Sequence, residues 1–343
     1  MQDQARSTRG KPAPARSGAN GFPGPPPLPR FEVRLPTPDL SPWQAGNTGV
    51  AGFTSFSAAA PGPHVMLLAL THGNEIAGPI ALGRLLAAGL RPARGRLTVG
   101  FVNLAAFARF DPEQPTASRF VDEDMNRIWD AALLDARPHS VELARAVEIR
   151  PLVESADVLL DLHSMLWPSD PLILCGPTRR GRELASALGV PELVVADQGH
   201  ASGRRIIDHP RFTDPAAAPV GILVEAGPHW VPETVDTMLG CIGGLLRATE
   251  ALPDHPALPA PPSSRRPPRV AEVTMTVTAN TASFAFVRPW RGGDVVPQRN
   301  TLIAIDGTTE IRTPHDDCLL VMPSHRAGRS HTAVRLARFM PTG

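Results

Sequence analysis

The sequence predicts an α/β fold, a mostly parallel sheet with helices on both faces, followed by a small C-terminal β domain. Three observations carry this reading. Short apolar runs bounded by turn residues alternate with Ala/Leu-rich stretches up to about residue 252. A proline-dense segment, LPDHPALPAPPSSRRPPR, then interrupts the pattern. Beyond it come short β-rich runs separated by Gly, Pro and Asp, with no helix between them.

Residues 1–30 are rich in Pro, Gly, Ala and Arg and have almost no large apolar side chains, so they are expected to form a disordered tail. The main domain is then residues 31–252. Its first buried strand is 64–70, HVMLLAL, followed by a helix over 76–90. Strands are expected at 96–103, 158–163, 172–175, 193–196 and 220–225, with helices over 141–153, 182–188 and 232–252. Residues 253–269 form a Pro-rich linker, and 270–343 form the small β domain with strands at 270–278, 283–287, 301–305 and 318–322. Ligands of such sheets gather at the carboxyl ends of the strands.

Composition narrows the chemistry. Thirty-four basic residues against 33 acidic ones leave a net charge of +1, which suits neither a nucleic-acid tract nor a membrane surface. A small-molecule partner fits better, and the sequence leaves open whether the chain forms a homo-oligomer. Cys175, Cys241 and Cys318 form no CxxC pair, which argues against a disulfide framework and a thiolate zinc site. The N-terminal stretch has no apolar signal core and the chain has no long apolar run, so a cytoplasmic location is expected. The chain contains no tyrosine.

Two short motifs point to a metal. Thr71-His72-Gly73-Asn74-Glu75 follows the first buried strand and sets an imidazole and a carboxylate three residues apart at its carboxyl end. Val158-Leu-Leu-Asp161-Leu-His163 puts Asp161 and His163 on one side of another strand, because side chains alternate. Two imidazoles and one carboxylate suit a single zinc ion with a position left for water, the pattern of a catalytic site. Either motif alone is weak, since HxxE occurs by chance and a strand-end His is often a core residue. Their shared placement at strand ends makes them one candidate site, His72, Glu75 and His163. Glu225 closes the apolar strand 220–225 before Ala-Gly-Pro, where its carboxylate could activate the water.

Between these motifs stands Ser118-Arg119-Phe120-Val-Asp122-Glu-Asp124-Met-Asn126-Arg127. The order HxxE, RFxDxDxNR, DLH and a strand ending in Glu resembles the succinylglutamate desuccinylase/aspartoacylase family of zinc carboxypeptidase-like deacylases. The resemblance covers about residues 31–340, because the family also carries a small C-terminal β domain. It implies a zinc-dependent amidohydrolase acting on carbon–nitrogen bonds other than peptide bonds. One Zn2+ per chain would be held by His72, Glu75 and His163, with Glu225 as general base and Arg119 polarising the carbonyl. Asn126 and Arg127 would bind an N-acylated substrate.

Two departures set the chain apart. Asn103-Leu-Ala-Ala106 stands where relatives often have Asn-Pro-Arg-Ala, and neither the family's tyrosines nor its arginine ten residues before the base is present, Pro215 occupying that position. N-acetylaspartate itself is therefore not the expected substrate. Arg204, Arg205 or Arg211 could supply the missing cation, and His229 could line the pocket or carry a proton. The alternatives are a metallocarboxypeptidase acting on peptides and a non-catalytic zinc-containing binding protein.

Overall fold

The computed structural model describes residues 28–200, 202–261 and 267–341. The expected disordered tail lies outside these residues as far as residue 27, as do 262–266 of the linker. In chain order the first part contains α1 (Ser41–Gln44), β1 (Phe53–Ser57), β2 (His64–Ala69), α2 (Ala77–Ala87), β3 (Arg96–Phe101) and α3 (Leu104–Phe107). A 3-10 turn at Met125–Arg127 precedes α4 (Ala131–Leu134), α5 (Val141–Ser155), β4 (Val158–Met165), β5 (Leu172–Leu174), α6 (Arg179–Leu188) and β6 (Leu193–Ala196). A second such turn, Ile206–Asp208, leads to α7 (Pro210–Thr213), β7 (Val220–Pro228) and α8 (Pro232–Ala248). The C-terminal part adds β8 (Arg269–Thr278), β9 (Phe284–Phe286), β10 (Val295–Val296), β11 (Leu302–Asp306), β12 (Thr309–Arg312), β13 (Cys318–Val321) and β14 (Thr332–Phe339).

Eleven strands form one sheet in the order β1-β3-β2-β4-β7-β5-β6-β8-β14-β13-β10. The sheet is mixed, which corrects the expected mostly parallel one. β1 runs antiparallel to β3, and β5 runs antiparallel to β7 while lying parallel to β6. The last strands, β8, β14, β13 and β10, are antiparallel throughout. None of the helical crossovers that parallel neighbours require lies between them, so they must alternate in direction. β8 nevertheless pairs in parallel with β6, which carries the main sheet on into the C-terminal part. β12, β11 and β9 make a separate three-stranded sheet.

Helices cover both faces of the main sheet. α5 starts where the Ser140 hydroxyl accepts from Leu143 N at 2.9 Å, and it buries Leu143, Ala146, Ile149 and Val153 against Met66, Leu68 and Leu159. α2 lies on the opposite face, where a Cβ at Gly78 would come within 2.8 Å of Ala69 Cβ, and it packs with α8. The core over α5 continues through Leu174, Leu223 and Val195 into Ala271, Leu319, Val321 and Ala337. A second core, containing Val277, Trp290, Ile303 and Leu336, belongs wholly to the C-terminal part.

Candidate active site

The chain leaves β2 through Leu70, whose φ of 59° is rare for a branched residue and turns Thr71-His72 over the strand ends. Gly73 then passes so close to α3 that a Cβ would lie 2.4 Å from the Ala106 carbonyl carbon. The Trp230 indole donates to Asn74 O at 2.9 Å and holds the other side of the loop. His163 sits near the end of β4, directly opposite Glu225 on β7. One donor atom from each of His72, Glu75 and His163 lies within 4.8 Å of the other two, and all three residues are buried.

Carboxylates organise both imidazoles. His72 Nδ1 lies 2.7 Å from Glu75 Oε1, and its Nε2 lies 2.9 Å from Asp124 Oδ1. His163 Nδ1 lies 3.2 Å from Glu75 Oε2, and its Nε2 lies 2.8 Å from Asp161 Oδ2. Each ring therefore turns one nitrogen toward Glu75 and has the other fixed by a second carboxylate, as metal-ligating histidines commonly do. Asp161 is itself fixed by the Thr71 hydroxyl at 2.8 Å. Burial alone would lower the His163 pKa, but Asp161 and Glu75 outweigh it and hold the imidazole well above its usual range. Burial would likewise raise Glu75, and the two histidines hold it well below. With two imidazoles and a carboxylate converging in the interior, the donor set fits a divalent cation.

Glu225 is 8% exposed, and its Oε2 has no hydrogen-bond partner. Burial pushes the carboxyl up, to about 8. Arg119 donates to Asp124 Oδ2 at 3.0 Å and lies 3.6 Å from Glu75, so it is both ion-paired and beside the His72-Glu75-His163 group. The Arg119 loop is clamped by Glu142 on α5, whose carboxylate accepts from the backbone N of Val121, Asp122 and Glu123. Asn103 donates to the same carboxylate and caps α3.

A family model describing the succinylglutamate desuccinylase/aspartoacylase catalytic domain matches residues 61–241. The chain belongs to this family. No curated protein matches the sequence. Among solved structures, succinylglutamate desuccinylase from Vibrio parahaemolyticus is similar at 17% identity, with a TM-score of 0.64 over 85% of this chain and 87% of that one. Murine aminoacylase 3 is similar at 17% identity and a TM-score of 0.60, over 82% of this chain and 97% of that one. At these identities the likeness is one of fold.

In this family member, His72, Glu75, Arg119, Asn126, Arg127, His163 and Glu225 all line one cavity of about 190 Å³. Asn126 accepts from Ile206 N at 2.9 Å and lies 3.4 Å from His163 Nε2. Of the four residues whose place the sequence left open, Arg205 and His229 line the cavity, whereas Arg204 pairs with Asp130 and Arg211 donates to Ala156 O. His229 Nδ1 lies 2.7 Å from the Ser164 hydroxyl, and burial pushes the ring down to about 4, which keeps it neutral.

Sequence reasoning missed His200 and Arg335, which also line the cavity. No local signal marked either, since Arg335 lies in a strand of mixed polarity that was not foreseen. Arg335 NH2 lies 2.7 Å from His200 Nε2.

Proposed function

We propose that the protein is a zinc-dependent deacylase that hydrolyses the amide bond of a small N-acyl amino acid or related amide. The observation that carries this reading is the buried His72-Glu75-His163 triad with the unpartnered Glu225 carboxylate directly opposite His163. These three residues would hold the ion, whose charge would make a water more acidic and draw electron density from the amide carbonyl. Ionised beside the cation, whose charge would offset the burial that raises its pKa, Glu225 takes the proton as the water's oxygen bonds to the carbonyl carbon and delivers it to the nitrogen as the C–N bond breaks. Its buried Oε2, free of other donors, is available for both transfers. Arg119 faces the negative charge that builds on the carbonyl oxygen, held in place by Asp124. Arg127 receives the substrate carboxylate through its planar guanidinium.

Cavity size favours a small amide over a peptide. At about 190 Å³, and bounded on one side by Met322, Pro323 and Arg335 of the C-terminal part, it leaves little room for a chain. Among the described residues no helix is long and apolar enough to cross a membrane. The test is Glu225→Gln, which should abolish release of amine from N-acyl amino acids while the purified protein still carries one zinc per chain. Wild-type protein that binds no divalent metal, or a Glu225→Gln enzyme with undiminished turnover, would end the reading.

A further inference from the structure

We propose that this pocket is built for a monocarboxylate with an apolar substituent, and that it discriminates against substrates bearing a second carboxylate. The inference rests on the deacylase reading and adds the class of substrate.

Charges around Arg205, which lines the cavity, are paired. Arg205, 1% exposed, donates to Asp208 through Nε at 2.7 Å and to Asp197 through NH2 at 2.8 Å. Arg335 lies 3.5 Å from the same Asp197. Two guanidiniums and two carboxylates therefore balance. Arg127 is left over. Among the described residues it forms no ion pair, and its hydrogen bond goes to the neutral Asn126 O at 2.7 Å. Asp124, whose charge acts on Arg127, is already engaged by Arg119 at 3.0 Å and His72 at 2.9 Å. Of the three guanidiniums Arg127, Arg205 and Arg335, Arg127 alone faces no ion-paired carboxylate and is the one set to receive an anion, whereas Arg335, though its Nε makes no hydrogen bond, already stands 3.5 Å from Asp197.

Between the two polar ends the cavity is apolar. Leu223, two residues before Glu225 on the same side of β7, pairs in register with Leu174 on β5, and both line the cavity. In sheet order these strands separate β4, which carries His163, from β6, which leads to Asp197. Met165 and Trp167, just after His163, and Met322 from the C-terminal part add to the lining. The Trp167 ring packs edge-on against His325 at 5.3 Å, which fixes it from behind. A hydrocarbon group lying here would replace water over apolar side chains, while a carboxylate would be stripped of water with nothing to receive it.

Equilibrium binding to zinc-loaded Glu225→Gln protein tests the inference without relying on turnover. Five ligands are compared: N-acetylglycine, N-acetylphenylalanine, N-hexanoylglycine, N-acetylaspartate and N-succinylglutamate. At least one of the two apolar monocarboxylates should bind about tenfold or more tighter than N-acetylglycine and than both dicarboxylates, a typical scale for one hydrocarbon group in a pocket. The phenylalanine and hexanoyl arms tell whether the apolar group belongs to the amine or the acyl side. Arg127→Gln should weaken all five ligands, whereas Trp167→Ala should weaken the favoured apolar monocarboxylate about tenfold more than it weakens N-acetylglycine. Tighter binding of either dicarboxylate, equal binding of all the monocarboxylates, or no binding of any ligand overturns the proposal. Wild-type hydrolysis is scored separately. Apolar preference without hydrolysis sinks the deacylase reading and leaves the pocket assignment standing, and hydrolysis with a dicarboxylate preference does the reverse.

Discussion

A histidine is a good metal ligand only when its ring is held in one orientation, and in this site that work falls to Asp124 and Asp161. Asp161 touches both His163 and the Thr71 hydroxyl, so it ties the strand-borne ligand to the loop carrying the other two. Replacing Asp161 with Asn keeps the shape but removes the charge that orients the ring and raises its basicity toward a cation. Zinc affinity, measured by competition with a chelator, should fall by about 10–100-fold. Turnover at saturating zinc should largely recover, because Asp161 lies behind the ligand and away from the substrate. Unaltered affinity in Asp161→Asn would show that the carboxylate is only a buried partner. The convergence of His72, Glu75, His163 and Glu225 was legible in the sequence because each sits in a short motif at the end of an apolar run. Asp161 could be placed beside His163 by the two-residue period of a strand. The pairing of Asp124 with His72 could not, since it depends on how Glu142 folds the intervening loop.

Elements position these residues through backbone approaches that leave no room for error. Gly73 is one such approach beside the site, with a Cβ position only 2.5 Å from Phe107 N as well as 2.4 Å from the Ala106 carbonyl carbon. Both neighbours are backbone, so neither can swing aside. Gly73→Ala should push the loop off α3 and carry His72 and Glu75 out of line. A fall of about a hundredfold in turnover is expected, the scale of an ångström's misplacement, with circular dichroism unchanged. Wild-type turnover in Gly73→Ala would mean that α3 yields instead. The buried strands were legible as apolar runs, and α2, α5, α6 and α8 as periodic stretches between them. β1 was not, because FTSFS sits at the sheet edge, where one side needs no apolar cover. Nor was the direction of β5, since three apolar residues read alike in either sense. Its antiparallel run is what sets Leu174 beside Leu223.

At the scale of the whole molecule, the proline-rich stretch suggested a boundary that the sheet runs across. β8 pairs with β6, Ala271 and Ala337 join the main core, and the described residues from Val33 on form one compact unit. Strand pairing between distant segments is not written in either segment, and Arg335 reads as a surface residue until its partner is known. That partner is Asp197, which together with Arg205 joins β14 to the loop after β6. Burial by itself would raise the Asp197 pKa, and Arg205 and Arg335 more than offset it, holding the carboxyl below its ordinary 3.8. A carboxylate with a lowered folded-state pKa contributes stability above its unfolded value and loses that contribution as pH falls through the folded value. Asp197→Asn should therefore destabilise the protein by about 3 kcal/mol or more at neutral pH, because two buried guanidiniums lose a counter-charge. In urea unfolding the wild type should show one transition in which the C-terminal strands and the main sheet open together. The gap between wild type and Asp197→Asn should narrow as pH drops below about 4, where the unfolded chain begins to take up the proton, and should close once pH falls below the lowered folded value. A gap that stays constant to low pH would mean that the pair acts through packing and not through charge. Two separate transitions would mean that the C-terminal part stands on its own core, and that the wall carrying Arg335 can leave the cavity while the rest stays folded.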